Sequence, residues 1–261
     1  MLKVAKPLVD QGFAVHWLQP KSKRPAMGKK WAQLPVATWG QLKAKYREGM
    51  NIGVRLGEPS IVAGYYLHVL DLDVRDEEYL DEALAALAEL FPDYESFPRV
   101  ASGSGGASRH YYFLTDKPFR SRKLATSAGK FTDEKKVRHW FWEIELFGTG
   151  KQVAMPPSIH PDTGKPYRWE VEFDFDLVEM GFGPIVPSED MPDGLTAADT
   201  DSDEEDEDAE LAALLALVNS PPRGLTIDEI RDVLDSLPAE EWCEDRDGWF
   251  RAGMAVHHEL K

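Results

Sequence analysis

Only one cysteine, Cys243, occurs in a chain of 261 residues. A lone thiol closes no internal disulfide and builds no cysteine zinc site. No apolar run approaches the roughly 18 residues that would suggest a membrane span, and the opening MLKVAKPLVDQG does not read as a signal peptide. Internal repeats are also missing. These absences predict a soluble protein in a reducing cytoplasm. Positive charge is scarce as well, with 30 Lys and Arg against 46 Asp and Glu, a net charge of −16. The deficit is local. Residues 1–185 carry 25 basic and 24 acidic side chains, whereas residues 186–261 carry 5 and 22. The first part is therefore nearly neutral, and a nucleic-acid enzyme needs a positive surface only where it tracks phosphates.

What is present is enough for one substantial core and a smaller second one, at 43% hydrophobic residues. The first 186 residues read as one mixed α/β domain. Leu67 to Val74 is strand-like, and Asp76 to Leu90 has helical periodicity. His110 to Leu114 and Trp140 to Phe147 are rich in aromatic and branched residues, as strands are. Gln152 to Met155 reads as a strand closing into the Pro156-Pro157 turn. Residues 187–210 then change character: Ser188 to Glu210 holds twelve acids and no base. That composition predicts a solvated, flexible linker. Residues 211–261 contain helical patterns over Glu210 to Val218, Thr226 to Leu237 and Trp249 to Leu260. Thr226 and Glu229 have capping-box spacing. The last pattern meets Lys261 without a breaker, which suggests a chain cut from a longer protein.

Three groups of residues carry chemistry. Asp71 and Asp73 alternate onto one side of a strand, their Cα atoms roughly 7 Å apart. Two hard carboxylates at that spacing can hold divalent cations, and the same spacing suits an exposed strand end with two solvated acids. The second group is Ser102-Gly103-Ser104-Gly105-Gly106-Ala107-Ser108-Arg109-His110. A Gly/Ser loop entering a strand leaves backbone N–H groups for phosphate oxygens. Ser108 and His110 face one side and Arg109 the other, unless His110 is an ordinary buried histidine. In the third group, Trp140, Trp142, Ile144 and Leu146 form an apolar face that must be core. Phe141, Glu143, Glu145 and Phe147 share the opposite face. Two carboxylates on so apolar a strand call for a counter-charge or metal, or for an edge position in water.

The order of these pieces is more specific than any one of them. Lys23-Arg24-Pro25 precedes Trp31, then Asn51-Ile52-Gly53-Val54 and Gly57. VLDLD, SGSGGASRHYYF and EIELFGTGKQVAMPPSIH follow, then Gly164 and Tyr167-Arg168-Trp169. Over about residues 5–172 this closely resembles the N-terminal bifunctional primase/polymerase domain of the archaeo-eukaryotic primase superfamily. The resemblance implies an RNA-recognition-like catalytic sheet with helices on one face, a small α/β N-terminal unit, and addition of nucleotides to a 3′-end on a DNA template. Mg²⁺ or Mn²⁺ would be the cofactor. Asp71 and Asp73 match the family's acid pair, and Ser108-x-His110 its Ser-x-His. The later single acid falls on Glu145, with Glu143 an open alternative; the family's usual aspartate is replaced here by glutamate.

Further expectations follow from that resemblance. Lys151, Lys23 and Arg24 are candidate phosphate ligands, as is Arg109 if its strand face is reversed. The segment Lys117 to Arg138 reads as a basic, mobile excursion beside the site. Its Arg120, Arg122, Lys123, Lys130, Lys135 and Lys136 are expected to meet template or primer phosphates. Leu234 to Leu260 resembles the start of a primase C-terminal helical module, and a helicase domain or subunit would follow in a phage, plasmid or integrated-element replication protein. The cell would be bacterial, archaeal or phage-infected. Two rivals are a decayed nucleic-acid-binding initiator module and another two-metal phosphotransferase or nuclease.

Overall fold

The computed structural model describes residues 1–28, 30–133 and 136–195, and Ile227 beyond them. Lys135, most of the acidic segment and, apart from Ile227, the expected helices between 210 and 260 lie outside the described residues.

Chain order begins with α1 (Leu2–Asp10), β1 (Ala14–Leu18), α2 (Trp39–Lys45) and β2 (Asn51–Arg55). Thr38 starts α2 with the reciprocal capping box it shares with Gln41. β1 and β2 pair antiparallel, and a much later strand, β11 (Gln152–Met155), completes this small sheet in the order β1-β2-β11. Val15, Trp17, Ile52, Val54, Val153 and Met155 alternate onto its buried apolar face. Trp17 also donates its Nε1–H to the Leu42 carbonyl of α2 at 2.7 Å.

The larger sheet is built from β3 (Gly57–Val62), β4 (Tyr65–Val74), β5 (Arg99–Ala101), β6 (Arg109–Thr115), β7 (Arg122–Thr126), β10 (Trp142–Phe147) and β12 (Arg168–Val171). Its order is β12-β5-β6-β4-β10-β7, with β3 also on β4. Every pairing is antiparallel. β4, at the centre, is apolar on both faces for most of its length, as a strand covered on both sides must be. Leu70, Leu72 and Val74 pack with Ala83 and Leu87 of α3 (Leu80–Leu90) in one core. Leu67 and Val69 enter a second core that is continuous with the small sheet. The helix expected from Asp76 begins as a 3₁₀ turn over Glu77–Tyr79, with the Asp76 side chain accepting from Glu78 N–H at 3.0 Å. The last helix, α4 (Phe175–Glu179), is short.

Two expectations are corrected. The Trp140–Phe147 run is not one strand. It bends at Phe141, so that β9 (Arg138–Trp140) pairs with β8 (Lys130–Thr132) while β10 joins the main sheet. Trp140 is therefore not core; it is half-buried, with the Lys130 ammonium 4.1 Å from its ring centroid. Phe141 is held in the bend by stacking on Tyr79 at 4.2 Å and Phe131 at 5.4 Å. The basic segment, read as a mobile excursion, contains paired strands. It forms the edge strand β7 and the β8–β9 hairpin, because Leu124, Ala125 and Phe131 gain partial burial by pairing.

The compact unit extends over Met1–Ala198. Met191 is buried in the core beside α3, and Ser188 donates its N–H and hydroxyl to the Asp116 carboxylate at 2.7 and 3.0 Å. Residues 188–191, which the acidic composition assigns to the linker, are thus packed on the domain.

Candidate functional site

Antiparallel register makes the site. Asp71 of β4 lies opposite Glu145 of β10 on one side and His110 of β6 on the other. Two residue pairs along, on the same face, Asp73 lies opposite Glu143, and Ser108, just before β6, reaches Asp73 with its hydroxyl at 3.0 Å. Directly opposed residues on adjacent strands have Cβ atoms roughly 5 Å apart. The result is two short rows, Glu145–Asp71–His110 and Glu143–Asp73–Ser108, on the face turned away from α3. Strand alternation assigns the faces: Leu70, Leu72, Tyr111, Ile144 and Leu146 are core on the α3 side, so their neighbours point the other way.

Asp71 bears the strongest electrostatic load. Burial pushes its carboxyl up to about 7, and Asp73, Glu145 and Glu143 add to the rise, while Lys23 opposes it. About a quarter of its side chain still reaches solvent. His110 Nε2 lies 3.3 Å from Asp71 Oδ1. Burial, helped by the Lys23 charge, lowers this imidazole to about 3, so it is neutral near pH 7. Its Nδ1 is buried and has no hydrogen-bond partner.

The second row is held differently. Ser108 Oγ accepts from Val74 N–H at 3.0 Å and donates to Asp73 Oδ1. Ser108 therefore orients a carboxylate and ties β6 to β4. Asp73 Oδ2 meets Arg75 Nη2 at 2.7 Å, and the same nitrogen meets Glu143 Oε1 at 2.5 Å. Lys123 of β7 takes the other Glu143 oxygen at 2.6 Å. Burial pushes Glu143 up, but its bonds to Lys123 and Arg75 more than offset this and hold it below the usual range. Among the described residues the Glu145 side chain has no ion pair or hydrogen bond. The open choice between the two glutamates thus becomes a difference in surroundings: Glu143 is neutralised twice and Glu145 is not.

The Gly/Ser loop is closed by its own hydrogen bonds. Ser102 N–H donates to the Ser108 carbonyl at 3.3 Å, and Gly105 N–H to the Ser102 carbonyl at 3.2 Å. Gly103 is needed for space: a Cβ there would stand 2.6 Å from His160 Cβ and 2.7 Å from the Lys165 carbonyl. His160 and His110 flank the Tyr167 ring, each with its centroid 5.9 Å away. Lys23 is exposed, and its charge bears on Asp71, His110 and His160 alike. The turn before Trp31 is thereby placed beside the carboxylates.

Other expected residues do not join this group. Arg109 faces the opposite side of the sheet, where its guanidinium binds Glu170 at 3.0 Å beside Arg99. The strand face is not reversed, so the condition attached to Arg109 as a phosphate ligand is not met. Lys151 is exposed and lies 5.0 Å from the Phe147 ring centroid, two residues beyond Glu145 on the same face. Arg122 is bonded to the Gly194 carbonyl. Arg120 is half-buried, while Lys130 and Lys136 are exposed on or beside the hairpin. Sequence reasoning missed Arg75, His160 and Tyr167 as neighbours of the site. Arg75 stands two residues after Asp73, hence on the same face of an extended chain, and that spacing is the signal that could have found it.

Among the described residues, no group of three or more His, Cys, Asp and Glu side chains is arranged to hold a metal ion. The donor set nevertheless fits one. Four carboxylates share a face, and burial, with the like charges of Asp73, Glu145 and Glu143 added to it, favours the protonated form of Asp71, a bias that a divalent cation would reverse. No curated protein and no solved structure matches the chain. The family model described as bifunctional DNA primase/polymerase, N-terminal, matches residues 5–193. That span includes both rows of the carboxylate face and both sheets, and the chain belongs to the bifunctional DNA primase/polymerase N-terminal family.

Proposed function

We propose that this domain adds nucleotides to a 3′-hydroxyl on a DNA template, with Asp71, Asp73 and Glu145 as ligands of Mg²⁺ or Mn²⁺. The observation that carries the reading is the row Glu145–Asp71–His110 across three adjacent strands, with Asp73 two residues along on the same face. Glu145 is preferred to Glu143 as the third acid because Arg75 and Lys123 already neutralise Glu143. Divalent cations bound there would lower the barrier to deprotonating the 3′-hydroxyl and neutralise charge on the triphosphate.

The chain's own residues have separate tasks. Asp71 and Asp73, rigid in the central strand, present oxygens on one face. Ser108 orients Asp73. His110, neutral and with Nε2 3.3 Å from Asp71 Oδ1 on this face, can turn its Nε2–H to a phosphate oxygen of the incoming nucleotide without adding charge. Lys23 supplies positive charge from the small sheet's side, and Lys151 is placed to do so from beyond β10. The exposed Lys130 and Lys136 are the favoured DNA-phosphate contacts. Lys123 is spent on Glu143. A helicase partner and a phage or plasmid origin rest on the resemblance of residues 234–260, outside the described residues.

Primer extension with Mg²⁺ or Mn²⁺, beside an Asp71→Asn/Asp73→Asn variant, tests the reading. Metal-dependent extension by the wild type alone is expected. DNA binding without extension would favour a decayed initiator module, and loss of primer length would favour a nuclease. An unprimed template in the same assay reads out priming.

A further inference from the structure

Arg75 holds two carboxylates that do not belong to one strand. Asp73 of β4 and Glu143 of β10 are direct cross-strand partners, and like charges so placed repel. The Arg75 Nη2 contacts both, at 2.7 and 2.5 Å. Its backbone is fixed by an N–H bond to the Phe141 carbonyl at 2.9 Å, and its Nη1 reaches the Trp140 carbonyl at 3.3 Å. The side chain is therefore anchored at the bend between β9 and β10, with a carbonyl near the guanidinium that does not depend on either carboxylate.

The two carboxylates are not equal partners. Glu143 keeps Lys123 whether or not Arg75 stays. Asp73 has no other cationic partner among the described residues, only the Ser108 hydroxyl. Asp73 and Arg75 are also partly open to solvent, at 36% and 27% of their side-chain surface. Ion pairs that water reaches are weak enough to be exchanged.

We propose that Arg75 is the built-in counter-ion of the carboxylate site. It is a positioning residue that keeps Asp73 oriented without a cation, retains Glu143 outside the ligand set, and yields Asp73 when a divalent cation arrives. This rests on the reading of Asp71, Asp73 and Glu145 as cation ligands.

Mn²⁺ binding to the full chain without nucleotide or DNA tests it, with free Mn²⁺ followed by electron paramagnetic resonance. The Asp71→Asn/Asp73→Asn protein serves as the blank for the acidic segment. Arg75→Gln is expected to bind Mn²⁺ about 5-fold more tightly than wild type, the size of a modest exposed ion pair. Arg75→Lys should stay near wild type. Arg109→Gln, which removes an equal charge from the far face, should change nothing. In an Asp73→Asn background the gain from Arg75→Gln should vanish. Equal affinity in wild type and Arg75→Gln, a weaker Arg75→Gln, or a gain that persists without Asp73 would overturn the proposal. A merely structural Arg75 would lower the melting temperature and leave Mn²⁺ affinity alone, so melting curves accompany each titration. If neither wild type nor Arg75→Gln binds Mn²⁺ above the blank, the metal-site reading itself fails along with this one.

Discussion

At the scale of single residues, the site is a problem of too many negative charges on one face. Glu143 is neutralised by Arg75 and Lys123, and Asp73 by Arg75, which leaves Asp71 and Glu145 to share what is uncompensated. Glu145→Gln should therefore cut primer extension about 100-fold or more, in the range seen when one catalytic electrostatic group is removed. Glu143→Gln should cost much less. Parallel rate measurements check this, and a larger loss in Glu143→Gln would reassign the third acid. Asp71 also predicts a pH effect. Its carboxyl is raised from 3.8 to about 7 in the folded chain, so the folded state holds a proton that the unfolded state has released. That contribution is fully present below the unfolded value and is lost as pH rises through about 7. In chelator, Asp71→Asn should gain melting temperature over wild type between about pH 5 and about pH 8. Parallel melting profiles would contradict it.

At the scale of elements, the site depends on how β4, β6 and β10 are brought into register. His68 of β4 shows one means. It is fully buried, lowered to about 4 by burial, and its Nε2 accepts the Phe119 N–H at 2.9 Å. That bond ties the central strand to the chain entering β7. Gly148 closes the same corner just after β10: a Cβ there would stand 2.0 Å from the Phe119 carbonyl oxygen. Gly148→Ala cannot be accommodated without moving backbone and should destabilise the domain by about 2 kcal/mol or more. Urea unfolding measures it; an unchanged midpoint would mean the corner can relax. The strands themselves were legible, because β4, β6 and β11 alternate or run apolar as strands do. The break between β9 and β10 was not. The run from Trp140 to Phe147 is rich in aromatic and branched residues with no breaker at Phe141, and only the stacking of Phe141 between Tyr79 and Phe131 reveals the bend.

At the scale of the molecule, charge is segregated between a nearly neutral domain and an acidic C-terminal part. The exposed basic side chains at the hairpin give the domain its candidate DNA surface. Lys130→Glu/Lys136→Glu should weaken binding to single-stranded DNA uniformly across sequences and reduce the salt dependence by about 1–2 units of slope. Fluorescence anisotropy at several salt concentrations reads both, and an unchanged slope would remove the hairpin from the interface. The acidic segment is expected to act as a tether. Deleting 196–210, which spares the packed residues 188–191, should leave DNA affinity unchanged, whereas a marked gain would point to an acidic mimic of DNA.

The sequence by itself determined the pieces of the site and their order: the Asp71/Asp73 pair, Ser108-x-His110, and a glutamate pair behind them. Strand alternation is a local rule, so it could place Asp71 with Asp73, and Glu143 with Glu145, on one face. Tertiary structure alone decided which residues stand opposite one another, because register belongs to pairs of strands far apart in the chain. It set Glu145 and His110 beside Asp71, put Arg75 between Asp73 and Glu143, and turned Arg109 away to Glu170. The two glutamates are alike in composition and spacing. What separates them is a guanidinium and an ammonium delivered from other strands.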